Sequence, residues 1–67
     1  MRKIIGSIWF STLIKKCVIG IVLINNGRKE KAYIGIADGE NKEEDEKYIA
    51  KWGGIFPVKQ AKEMISG

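Results

Sequence analysis

The chain has no histidine. That absence removes the His-based catalytic triads and every zinc site with an imidazole ligand. Cysteine and proline occur once each in 67 residues, as Cys17 and Pro57. A lone cysteine cannot close an intramolecular disulfide, and the apolar run 18–24 after it suits a buried strand better than the electropositive setting of a reactive thiol. The expected compartment is therefore reducing and cytoplasmic. No repeat, Pro/Ser-rich linker or low-complexity tract interrupts the chain. Splitting it in two would leave each half below the ~40 residues that fold unaided, so one domain is expected over 1–67. Arg2 and Lys3 ahead of the uncharged stretch 4–14 resemble the start of a signal peptide. No small-residue cleavage site follows, however, and Lys15 and Lys16 end the apolar run short of the ~18 residues a membrane span needs. Neither export nor a membrane span is expected.

Charge is present in both signs but unevenly placed. The net charge is +4, yet 38–47 holds six acids (Asp38, Glu40, Glu43, Glu44, Asp45, Glu46) against two lysines. The remainder carries ten Lys and Arg against Glu30 and Glu63. An acidic end on a basic body can attract an anionic partner, or a second copy by opposite charge.

Residues 3–14 are rich in Ile, Trp, Phe and Thr, which fit a pleated surface. Simple alternation puts Ile4, Ile8, Phe10 and Ile14 on one face and Ile5, Trp9 and Leu13 on the other. A helical pattern also fits Ile4, Ile5, Ile8, Trp9, Thr12 and Leu13, but the β-branched content and Gly6 favour a strand. Residues 17–25 form a continuous apolar run, the signature of a central strand buried on both faces. Asn26-Gly27 is a hairpin turn signal, with 31–37 as the returning strand. After Asp38-Gly39 the period changes. Asn41 can cap a helix with Glu44 in capping-box position, the early acids complement the helix dipole, and the helix runs to Trp52 with Gly53 as a left-handed cap. Tyr48, Ile49 and Trp52 share a face with Asp45, whose carboxyl would then be partly desolvated and raised in pKa. A second helix starts with Pro57 and buries Val58, Ala61 and Ile65. The expected fold is α+β: a three-stranded antiparallel meander followed by two C-terminal helices, with both helices on one sheet face.

That arrangement leaves the second sheet face bare. Both faces are apolar, and a bare one exceeds the patch a soluble monomer tolerates. A second copy of the chain is the expected cover, through Ile5, Trp9, Ile21, Leu23 and Tyr33.

Chemistry is sparse. The run Glu43-Glu44-Asp45-Glu46 points in different directions around a helix, and Ser7, Ser11 and Thr12 have no base to activate them. No enzyme activity, cofactor or metal is expected. Gly35 to Gly39 leads from strand to helix, but its acids would repel a phosphate. Gly53-Gly54 ahead of Pro57 is the better anion site: Lys59 and Lys62 lie on one helix face, Gly54 leaves backbone donors approachable, and Trp52 supplies a stacking ring. A nucleotide-like anion is the ligand expected there. Single-stranded nucleic acid is a further reading, with Trp9 and Tyr33 as a stacking platform. Against it, only two of the twelve cations are Arg, and no recognised nucleic-acid motif is present.

The string Ile5-Gly6-Ser7-Ile8-Trp9-Phe10, then Gly20-Ile21-Val22, Tyr33-Ile34-Gly35-Ile36, Asp38-Gly39, Glu44-Asp45 and Ile49-Ala50-Lys51-Trp52-Gly53, resembles small proteins of phages and mobile elements. The resemblance covers most of the chain. It implies a small stand-alone, non-enzymatic protein of anti-defence type, which either captures a host signalling nucleotide or inhibits a host protein by binding it. The expectation is thus a homo-oligomeric binding protein for an anionic small molecule, with a protein-directed inhibitor and a nucleic-acid binder as alternatives.

Overall fold

The computed structural model describes residues 2–12 and 17–67. Strands β1 (Arg2–Ser11), β2 (Val18–Asn26) and β3 (Lys29–Ala37) form an antiparallel meander. Helix α1 (Lys42–Trp52) follows, then a short strand β4 (Gly54–Phe56) and helix α2 (Val58–Ser66). The α+β class, the meander and both helices are as the sequence leads one to expect. Residues 3–11 are strand rather than helix, while Leu13 and Ile14, expected to continue it, lie outside the described residues. β4 is an addition. Its three residues look like a glycine-led loop in sequence, but they pair Ala32↔Phe56, Tyr33↔Ile55 and Ile34↔Gly54 along the edge of β3.

The hairpin turn sits one residue later than Asn26-Gly27 suggests. Asn26 pairs with Lys29, so Gly27 and Arg28 form the loop. Gly27 takes φ 71°, the left-handed conformation that the first position of a tight primed turn requires and that a side chain would strain.

Cross-strand register separates two cores. Val22, Ile24, Ala37, Ile49 and Ala50 form one, with Ile4, Trp9, Val18 and Tyr33 packed on it. Ile21, Leu23, Ala32 and Ala61 form the other, with Ile8, Ile34, Phe56, Val58, Met64 and Ile65 around it. Ile49 and Ala50 belong to α1 and Ala61 to α2, so the helices cover opposite faces of the sheet. The expectation of both helices on one face is corrected here, and β4 supplies the reason. After α1 crosses the first face, β4 follows the outer edge of β3 and delivers the chain to the second. α2 then covers the centre of the face expected to need another copy: Ile21 and Leu23 are 2% and 4% exposed. Full burial of such a side chain is worth about 1.5–3 kcal/mol, so this chain gains from α2 what a dimer was expected to supply.

A β-bulge alters the faces of β1. Ile4 pairs with Ile24 and Gly6 with Leu23, leaving Ile5 as the extra residue. The extra residue shifts side-chain parity, so Ile4 joins Trp9 under α1 while Ile8 stays on the α2 face. Gly6 lies on the α2 side, where a Cβ would stand 3.0 Å from Cγ2 of Ile65. Further along, Trp9 faces Gly20 across the strands. Its ring lies where a Gly20 side chain would start, 2.2 Å from an added Cβ. The indole Nε1 donates to Ser7 Oγ at 3.0 Å, and that hydroxyl donates to Glu46 Oε2 of α1 at 2.6 Å.

Candidate functional site

α1 begins as its sequence suggests. Asn41 Oδ1 accepts from the backbone N–H groups of Glu43 and Glu44 at 3.0 and 3.3 Å, with Glu43, Glu44 and Asp45 in the first turn. It ends differently. Gly53 has φ −69° and ψ 165°, extended rather than left-handed. Glycine is needed there because an added Cβ would stand 2.6 Å from the Ile49 carbonyl oxygen and 2.8 Å from that of Ile34. The close approach of α1's end to β3 replaces the expected cap.

The ligand site expected at Lys59, Lys62, Trp52 and Gly54 does not assemble. Trp52 closes α1 on one face of the sheet, whereas Lys59 and Lys62 belong to α2 on the other. Lys62 is committed to an ion pair with Glu30, and Trp52 instead carries the Lys51 ammonium 5.2 Å from its ring centroid. Gly54 sits between them as an edge residue of β4. Sequence adjacency suggested convergence, and the three-residue edge strand prevents it.

The expected interface residues are mostly consumed within the chain. Ile21 and Leu23 are buried under α2, and Trp9 and Tyr33 pack against the α1 core. Ile5, the bulge residue, is the one of the five that stays exposed. Trp9 and Tyr33 therefore do not offer an open stacking platform.

Opposite charges collect at opposite ends of α1. At its N-terminus a groove of about 480 Å³ is lined by Cys17, Ile36, Ala37, Tyr48 and Asn41 together with the carboxylates of Asp38, Glu40, Glu44 and Asp45. Asp45 is 7% exposed. Burial raises its pKa above the ordinary carboxylate range, and a hydrogen bond and repulsion from Asp38 push the same way, against a backbone N–H donated by Gly39. Asp45 was legible in sequence as the desolvated acid of this face, and the structure adds its partner Asp38. Near the other end, a groove of about 470 Å³ between β1 and α1 is lined by Lys3, Lys47 and Lys51 over Ile4, Ile24 and Ala50. Sequence reasoning missed it, because Lys3 is more than forty residues from the other two lysines and the bulge that brings Ile4 into the floor has no simple sequence signal.

A third feature is apolar. Tyr48 and Trp52, one turn apart on α1, are 55% and 67% exposed, and Ile55 on β4 is 90% exposed. Ile55 lies opposite Tyr33 and so projects to the α1 side. Beside them β3 has an open edge. An added Cβ at Gly53 would touch the Ile34 carbonyl, so Ile34 aims its backbone groups toward β4. By alternation Ile36 aims its N–H and C=O the same way, past the last β4 pair. Phe10 and Ile36 are also exposed, on the α2 side.

Among the described residues no group of three or more Cys, Asp or Glu is arranged to hold a metal ion, and no helix is long and apolar enough to cross a membrane. No protein-family model, curated protein or solved structure matches the chain.

Proposed function

We propose that this chain is a non-enzymatic binding protein that docks another protein against the flank formed by α1, β4 and the open end of β3. The observation that carries this reading is the exposure of Tyr48, Trp52 and Ile55 together on the α1 side of the domain. Aromatic anchors of this kind dominate protein interfaces once desolvated. A solvated Ile55 contributes little to the fold, whereas its burial by a partner is worth about 1.5–3 kcal/mol. The open edge at Ile36 adds a backbone donor and acceptor that an extended partner segment can pair. The resemblance to small phage and mobile-element proteins implies either capture of a nucleotide or inhibition of a host protein by binding, and this reading takes the second.

Site-specific photocrosslinking tests it. A photoreactive residue at position 55, introduced in cells of the encoding organism, should yield a discrete adduct with a protein other than this chain. The same probe at position 59, on exposed α2 surface, should not. Equal labelling from both positions, or none from position 55, overturns the reading. Adducts of the chain with itself would transfer the flank to self-association and equally overturn it.

A further inference from the structure

The lysine-lined groove between β1 and α1 carries an inference independent of the protein-docking flank. We infer that it is a binding site for a small organic phosphate, a ligand with a head of two or more negative charges and an apolar body. Three features built by the fold support this. The charges come from α1: Lys47 and Lys51, one helical turn apart, line a space of about 470 Å³ together with Lys3 of edge strand β1, whose register opposite Asn25 turns its side chain toward the α2 side. Among the described residues no carboxylate lines it, nor the adjoining groove of about 560 Å³ formed by Lys3, Ile4, Ile5, Asn25 and Gly27. In a chain with eight acids, that sorting leaves a local field that favours an anion. The floor is apolar, made by Ile4, Ile24 and Ala50, which offers a hydrophobic surface to the rest of the ligand.

The bulge at Ile5 links this site to the backbone. Without the extra residue, Ile4 would share the α2 face with Gly6 and Ile8. With it, Ile4 pairs with Ile24 on the α1 side and paves the floor beneath the lysines. Bulges re-aim side chains in this way beside binding sites. The Lys51 ammonium also lies 5.2 Å from the Trp52 ring centroid, a contact that restrains its side chain. The nucleotide-like chemistry expected from the sequence thus finds a place on the α1 face, away from α2.

Amide chemical-shift titration of the full chain tests the site with ADP and decyl phosphate as probes, and with adenosine and decanol as their uncharged counterparts. At least one phosphate should shift the amides of Ile4, Ile24, Ala50 and Lys51, and its uncharged counterpart should bind at least about tenfold more weakly. ADP alone would identify a flat ring as the apolar body, and decyl phosphate alone an alkyl chain. The double variant Lys47→Gln, Lys51→Gln should weaken binding about tenfold or more with the ligand-free melting temperature unchanged, since exposed lysines add little to the fold. Absence of shifts from both phosphates, shifts that map elsewhere, or binding unchanged in the double variant overturns the assignment. Ile55→Lys lies on the docking flank and should leave phosphate binding intact, so the two readings fail separately.

Discussion

Gly20→Ala is the most informative single substitution in the core. The new methyl would stand 2.2 and 2.6 Å from Cζ3 and Cε3 of Trp9, and 2.7 Å from Cδ1 of Ile49. Neither neighbour moves freely: Trp9 is tied through Ser7 to Glu46, and Ile49 is fully buried beneath α1. Overpacking of this kind costs about 1–3 kcal/mol, and a broken Trp9 to Ser7 hydrogen bond adds about 1 kcal/mol. Relief of glycine's unfolded-state entropy returns about 0.5–1 kcal/mol. The net loss is about 2 kcal/mol, which for a domain of this size lowers the melting temperature by about 10–15 °C. Thermal unfolding followed by far-UV circular dichroism reads it. The cost should shrink when Trp9→Leu is present, because the smaller side chain leaves room for the methyl. A Gly20→Ala protein that melts with the parent, or a penalty undiminished by Trp9→Leu, would refute the placement of the indole over Gly20.

Four other substitutions follow from the same geometry. Gly53→Ala should destabilise by about 1–3 kcal/mol in urea titration, while Gly54→Ala should be nearly silent, since its Cβ would meet only the Ile34 carbonyl oxygen at 3.9 Å. Asn41→Ala should cost about 1 kcal/mol through loss of the α1 cap, read in the same titration. For Asp45, the folded chain holds the proton more tightly than the unfolded chain, so its contribution is most favourable below the ordinary carboxylate range and is lost as pH rises through the raised pKa. Asp45→Asn should therefore gain stability relative to the parent at neutral pH and lose that advantage in acid, as melting temperatures across pH will show.

The strands were legible because their signals are local. The apolar run 17–25 has the length and composition of a central strand, Asn41 has its carboxylates where a helix start wants them, and Val58, Ala61 and Ile65 recur at helical spacing. The placement of the helices was not legible, because it turns on three residues. Gly54, Ile55 and Phe56 carry no alternating pattern long enough to announce a strand, yet their pairing with β3 sends α2 to the far face. The bulge at Ile5 was hidden for a similar reason: a one-residue insertion leaves composition unchanged while reversing the face of Ile4. For the site, Asp45 could be found from its place one turn before Ile49, although Tyr48 and Trp52, expected on the same face, are exposed. Lys59, Lys62 and Trp52 were grouped by nearness in sequence, and the sheet runs between them. The grouping of Lys3, Lys47 and Lys51 is a product of tertiary packing alone.

Both proposed surfaces depend on the helices lying on opposite sides of the sheet, because that arrangement leaves the α1 side free for the flank and the lysine groove. Methyl nuclear Overhauser contacts measure it directly. Contacts are expected from the Ala61 methyl to Ile21 and Leu23, and from Ile49 to Val22, Ile24 and the Trp9 ring. Contacts from Ala61 to Val22 or Ile24 would put α2 beside α1 on one face and contradict it.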